Sequence, residues 1–230
     1  MHIEGATALV TGGVSGLGLG AARMLAANGA SVAMLDINEE KGEEALSGLG
    51  ELRERARFLV CDVSDPEQVE ATVTGVVEEL GGIGILVNAA GVAPAQRLVS
   101  RDGTLFALDL FTFTIGVNLI GMFDVIRNVA GVMAGNEPDG NGERGVIVNV
   151  ASIAAFEGQM PGGVLSLQGG RGGDDVAAGP RPGQRRGAGN DSGAGDHGHP
   201  APGRRPPGAP KVDLGLWMLR SRRGPITVAR

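Results

Sequence analysis

Tyrosine is absent from all 230 residues, lysine occurs only at Lys41 and Lys211, cysteine only at Cys61 and tryptophan only at Trp217. Each scarcity closes a class of explanation. A single cysteine rules out an internal disulfide framework and makes a reducing cytoplasm the expected compartment. No apolar run reads as long enough for a membrane span, and Met1 to Gly5 carry no export signal, so no membrane role is expected. No metal site is expected either. The missing tyrosine removes every phenol from the list of general bases.

What is present divides in two. Residues 1–159 hold nine basic and 21 acidic side chains, a net of −12, whereas residues 160–230 hold 11 and five, a net of +6. The tail also holds nine of the 12 prolines and 17 of the 41 glycines. The first part alternates apolar runs with helical patterns. Thr7–Val10, Ser31–Leu35, Arg57–Val60, Ile83–Val87 and Gly145–Val150 read as strands. Gly16–Asn28, Glu39–Leu49, a segment opened by Ser64-Asp65-Pro66 and closed near Leu80, and Thr114–Val132 read as helices. Continuous Val/Ile/Leu strands separated by helices indicate an α/β domain whose parallel sheet is covered on both faces. Beyond Gln159 no sustained period appears. The chain is therefore read as a nucleotide-binding domain over 1–159 and a Gly/Pro/Arg-rich irregular tail over 160–230, with a possible ordered piece at Leu214–Leu219.

Thr11-Gly12-Gly13-Val14-Ser15-Gly16-Leu17-Gly18 lies between the first strand and first helix. Glycines there let the backbone turn and approach a pyrophosphate, which then rests on the helix N-terminus. A tight turn in a glycine-rich chain is the plainer reading of such a motif alone. Asp36 ends the second strand about 20 residues on, where a carboxylate accepts from ribose hydroxyls and repels a 2′-phosphate. It could equally cap the following helix. With no basic neighbour at Asp36, NAD is favoured over NADP.

These residues, with four further segments, resemble the short-chain dehydrogenase/reductase family. Cys61-Asp62-Val63 is similar to its adenine contact, Asn88-Ala89-Ala90-Gly91 to its Asn-Asn-Ala-Gly segment, Asn118 to its active-site asparagine and Ser152 to its catalytic serine. Taken singly, Asp62 reads as a cap, Asn88 as a turn, Asn118 as a satisfied helix residue and Ser152 as a strand-end loop. Their order along the chain argues against coincidence. Asn136-Glu137-Pro138-Asp139, Arg144–Ile147 and Ala154–Gln159 look like the type-2 3-hydroxyacyl-CoA and 17β-hydroxysteroid dehydrogenase branch. The resemblance implies a Rossmann-like doubly wound sheet. It further implies an NAD-bound oxidation of a secondary alcohol to a ketone, on an acyl-CoA or steroid alcohol, and a homotetramer or dimer in the intact family. Gly12, Ser15, Gly16, Leu17, Gly18, Asp36, Asp62, Val63, Asn88, Ala89 and Gly91 would hold the cofactor, with Ser152 and Asn118 at the reacting centre.

The likeness breaks where the family carries Tyr-x-x-x-Lys. Ser152 can orient an alcohol, but its proton needs an acceptor as hydride leaves, and this chain has no tyrosine to provide one. A shifted reading frame accounts for the gap. Read one base later, codons permitted for Pro161 to Gly169 yield Gln-Ala-Ala-Tyr-Ser-Ala-Ser-Lys-Gly, and those for Asn190 to Pro200 yield Met-Thr-Val-Ala-Pro-Gly-Thr-Thr-Gly-Thr-Pro. On this reading the sheet stops at about five strands with one edge exposed, which predicts poor stability. Two other readings compete with an impaired enzyme. One is an inactive NAD-binding or partner-binding module. The other is a basic arm for nucleic acid, which the lack of interleaved aromatics in the tail argues against, so no nucleic-acid partner is expected.

Overall fold

The computed structural model describes residues 2–94 and 96–152 and the backbone of 211–217. Strands β1 (Thr7–Thr11), β2 (Ser31–Asp36), β3 (Ala56–Val60), β4 (Ile85–Asn88), β5 (Glu143–Val150) and β6 (Lys211–Trp217) form one sheet in the order β3-β2-β1-β4-β5-β6. Every pairing is parallel. Helices α1 (Gly16–Ala27), α2 (Glu39–Ser47) and α3 (Pro66–Leu80) intervene. A further rod is built from α4 (Leu108–Ile115), a π-helical turn (Gly116–Gly121) and α5 (Met122–Gly135).

Strand residues alternate between the two faces, and at the central strands β1, β2 and β4 both faces are buried, so these read as unbroken apolar runs. Ala8, Val10, Val32, Met34, Ile85 and Val87 pack against Ala22, Leu25 and Ala26 of α1. Leu9, Ala33, Leu35, Leu86 and Ile147 pack against Val69, Val73 and Val76 of α3 and against Val125, Val129 and Met133 of α5. Local chemistry sets the helix ends. Asp65 caps α3, accepting from the backbone N–H of Glu67 (3.0 Å) and Gln68 (3.3 Å), and Pro66 follows at the first helical position. Gly81 ends that helix in the left-handed conformation, φ 75°.

Three expectations change. The sheet has one strand more than the five read from the sequence: Lys211–Trp217 pairs with β5 from Glu143↔Lys211 to Val150↔Trp217, with a register shift between Glu143 and Val146. β5 is thus paired, and β6 takes its place as the end strand among the described residues. The possible ordered piece read at Leu214–Leu219 overlaps this strand, which starts three residues earlier, with Val212, Leu214 and Leu216 forming a short period-two run. Second, the helical rod begins at Leu108, six residues before the expected Thr114. Its 28 residues are long and apolar enough to cross a membrane by length and composition, although one side of α5 packs on the sheet. Third, Asp36 does not cap α2. Asn38 does, accepting from the Lys41 N–H at 2.9 Å. The shifted-frame segments at 161–169 and 190–200 lie outside the described residues.

Candidate functional site

All candidate residues converge on the carboxyl ends of the strands. The sheet order places β1 beside β4, so the direction of strand addition reverses there, the switch point beside which parallel α/β sheets bind ligands. The loops that follow these two strands touch. At Gly12 (φ 63°) an added Cβ would lie 2.8 Å from the Ala89 carbonyl oxygen and the Ala90 nitrogen. At Gly18 it would lie 2.1 Å from the Gly12 carbonyl oxygen, and at Gly13 2.8 Å from the Met34 Cβ. These three glycines are required by close approach. Gly16 differs: its φ is 49° and an added Cβ would meet nothing within 4 Å.

The start of α1 is left open for a guest. Ser15 occupies the cap position in extended backbone (φ −148°, ψ 166°) but makes no side-chain cap bond, and no acidic residue lies in the first turn. Ser15, Gly16 and Leu17 are exposed. The unpaired N–H groups and positive end of the helix dipole therefore face outward without an internal counter-charge. This suits a pyrophosphate. Asp36 ends β2, its Oδ1 accepting from the Asn38 N–H at 3.1 Å, while Oδ2 bonds to none of the described residues and is left for a diol. Asp62 is tied down locally, with Oδ1 accepting from the Ser64 N–H (2.8 Å) and hydroxyl (2.6 Å) and its own N–H donating to Gln68 Oε1 (3.0 Å). Val63 beside it is buried. Cys61, also buried, has its thiol pKa raised by burial, so it stays protonated at neutral pH.

A polar row crosses the sheet below the switch point. Thr11, Asn88 and Asn149 are register partners on β1, β4 and β5. The Thr11 hydroxyl accepts from the N–H groups of Ala89 and Ala90 (3.2 Å each) and donates to Asn88 Oδ1 (3.5 Å). Asn88 Nδ2 donates to Asn149 Oδ1 (2.9 Å). Thr11 and Asn149 were not among the expected cofactor or catalytic residues. Their signal was a polar residue closing an otherwise apolar strand. Asn88, expected at the cofactor, is a buried cross-strand tie at the end of β4 rather than a turn residue.

Asn118 lies in the π-helical turn and clasps Val92 with both ends of its amide: the Val92 N–H donates to Oδ1 (2.8 Å) and Nδ2 donates to the Val92 carbonyl (2.7 Å). Gly91 lies alongside, where an added Cβ would meet Asn118 Oδ1 at 3.2 Å. Ser152 is half-buried two residues beyond the end of β5. Asn118, Gly91 and the β1–β4 contact thus form one connected group. Asp36 and Asp62 stand at the ends of β2 and β3, on one flank of β1, and Ser152 follows β5 on the other.

The short chain dehydrogenase family profile matches residues 6–165, and the chain belongs to this family. It is 43% identical to the 3-hydroxyacyl-CoA dehydrogenase type-2 of Rattus norvegicus over 159 residues, which is 69% of this chain and 60% of that protein. Its human counterpart is 41% identical over the same shares. The chain therefore spans about 60% of the length of these relatives. Among solved structures, the 3-hydroxyacyl-CoA dehydrogenase type-2 of Mycobacterium avium superposes with a TM-score of 0.64 at 39% identity, covering 71% of this chain and 63% of its own. An NAD+-bound xylitol dehydrogenase superposes with a TM-score of 0.64 at 33% identity, over 73% and 61%.

Proposed function

We propose that this chain binds NAD at the switch point between β1 and β4, and that it descends from an oxidoreductase acting on a secondary alcohol of a 3-hydroxyacyl-CoA or hydroxysteroid. One observation carries the binding: the β1–α1 loop is built by backbone contacts only glycine allows, and it delivers a helix N-terminus with no cap or counter-charge of its own. Gly12 and Gly18 hold the loop in shape, while the exposed amides of Gly16 and Leu17 receive the phosphates. Asp36 accepts from the ribose diol and disfavours a 2′-phosphate, and the Asp62–Val63 turn borders the adenine. When bound, the nicotinamide ring supplies a hydride acceptor. Ser152 would hold the substrate hydroxyl, and Asn118 fixes the Val92 backbone at the reacting end.

The proton is what this chain does not handle. Hydride removal from an alcohol leaves a proton on oxygen. Neither Ser152 nor Asn118 is a base at neutral pH, and no tyrosine exists to take it. The chain is therefore read as a cofactor-binding protein without turnover. The out-of-frame origin of residues from about Met160 explains how a family member came to lack its base.

A titration with NADH followed by fluorescence, alongside an assay of NAD reduction with a short 3-hydroxyacyl-CoA, tests both parts. Saturable NADH binding without turnover is expected, with NADPH weaker. No binding would refute the site, and turnover at the rate of a full-length relative would refute the missing-base argument. Sequencing the gene across the codons for Gln159 to Val164 tests the frame: a single-base insertion or deletion relative to intact relatives is expected there.

A further inference from the structure

We infer that Gly121 is a positioning residue that ties the adenine-binding turn to the catalytic end of the site. The inference rests on the cofactor reading above. Gly121 closes the π-helical turn Gly116–Gly121 and is buried. An added Cβ would lie 2.5 Å from the Val63 carbonyl oxygen and 2.9 Å from the Val63 carbonyl carbon. Real Cβ atoms do not come so close to backbone, so the rod and the turn after β3 touch through main chain alone. Both partners are stiff. The turn is closed by the Asp65 N–H donating to the Asp62 carbonyl (3.0 Å) and by the Asp62 N–H donating to Gln68. On the other side Asn118, three residues before Gly121, is clamped to Val92 by two hydrogen bonds.

A methyl group at 121 cannot be absorbed by rotating a side chain. Either Val63 moves outward, away from its place beside the adenine, or the π-helical turn moves and carries Asn118 with it. Packed interiors respond to such insertions by shifting backbone. The other glycines of the rod separate this effect from ordinary helix chemistry. Gly116, Gly131 and Gly135 would each gain a Cβ with nothing within 4 Å. Gly145 lies far from the adenine, and its added Cβ would meet the Met133 sulfur at 2.5 Å. A Gly145→Ala variant therefore disturbs the core without touching the site.

The experiment uses the full 230-residue chain and AMP, which probes the adenosine end alone. Gly121→Ala should weaken AMP binding roughly tenfold or more, while Gly131→Ala and Gly145→Ala bind as the unsubstituted chain does, whatever their melting temperatures. AMP affinity in Gly121→Ala equal to that of Gly145→Ala would overturn the inference, since a purely structural glycine predicts no difference at matched stability. If Gly121→Ala does not fold, amide resonances of the unsubstituted chain decide. Saturating AMP should shift Val63 and Gly121 but leave Gly131 in place, and an unmoved Gly121 overturns the inference. Failure of the unsubstituted chain to bind AMP at all overturns the cofactor reading and this inference with it.

Discussion

Substituting Gly18 by alanine separates a glycine kept for space from one kept for backbone freedom. The new Cβ would land 2.1 Å from the Gly12 carbonyl oxygen. A carbon and a carbonyl oxygen settle at about 3.3 Å, so the loop and the first turn of α1 must part by about 1.2 Å. Overpacking typically costs about 1–3 kcal/mol, and the upper end applies here because the clash is with backbone. At about 2–4 °C per kcal/mol for a domain of this size, the melting temperature should fall by about 6–12 °C. Two neighbours calibrate the result. Gly16→Ala meets no atoms but must hold φ 49°, at a cost of about 1–2 kcal/mol. Gly20→Ala, exposed in α1 with open space around it, should stabilise by about 0.5–1 kcal/mol. Urea denaturation of the three variants gives the order, and NADH titration gives a second reading, because moving the loop by more than an ångström should abolish binding in Gly18→Ala. Gly18→Ala as stable as Gly20→Ala would refute the contact and, with it, the account of how the loop is shaped.

Thr11→Val keeps the shape and β preference of the strand but removes the oxygen that accepts from Ala89 and Ala90. The Ala89 N–H keeps the Thr11 backbone carbonyl at 3.2 Å, so only the Ala90 N–H and Asn88 Oδ1 lose their partner, at a cost of about 2 kcal/mol, whereas Thr11→Ser, losing only a buried methyl, should cost about 1 kcal/mol. Urea midpoints in the opposite order would count against the polar row. At low pH the Asp139 loop is a marker. Backbone N–H groups of Glu143 and Asn141 hold its carboxyl well below the ordinary 3.8, at about 2. Its folded pKa is depressed, so its contribution is complete above the ordinary carboxylate range and is lost as pH falls toward 2. Asp65 is lowered in the same sense by the Gln68 N–H and side chain. The stability gap between the unsubstituted chain and Asp139→Asn should stay constant at neutral pH and narrow between pH 4 and 2; a gap that does not narrow there would remove Asp139 from the account.

Much of the fold was readable because sheet and loop obey local rules. Strands β1, β2 and β4 announced themselves as apolar runs since both of their faces are covered, and Asp65-Pro66 marked the start of α3 by cap chemistry that needs no tertiary information. The glycine loop was legible through its spacing, although the spacing alone could not say that Gly12, Gly13 and Gly18 are kept for close packing whereas Gly16 is kept for its φ. What escaped depended on partners distant in sequence. Asn149 matters through Asn88, 61 residues away, and Gly121 through Val63. The assignment of capping to Asn38 rather than Asp36 turned on which of two side-chain oxygens meets the Lys41 N–H, a distinction that composition does not carry. β6 was legible only as a possible ordered piece at Leu214–Leu219, because three alternating apolar residues in a Gly/Pro-rich setting fall below the reach of periodicity.

The architecture also bears on how, on the proposed reading, a family member could keep one half of its chemistry without the other. Everything that shapes the phosphate cradle lies before Asn118: Thr11 and Asn88 brace the loops, Gly12 and Gly18 set their spacing, and α1 supplies the amides. These contacts run between β1, β2, β4 and α1, and none of them depends on residues C-terminal to β5. On the proposed function, proton removal has the opposite dependence, since an acceptor would have to reach a substrate oxygen held by Ser152, two residues beyond β5. If the chain leaves the family frame near Met160, as proposed, binding and turnover separate along a physical seam. A chain that binds NADH and leaves alcohols unoxidised is the outcome expected on that proposal, and restoring a tyrosine alone, without a lysine to lower its pKa, should leave the acceptor protonated at neutral pH.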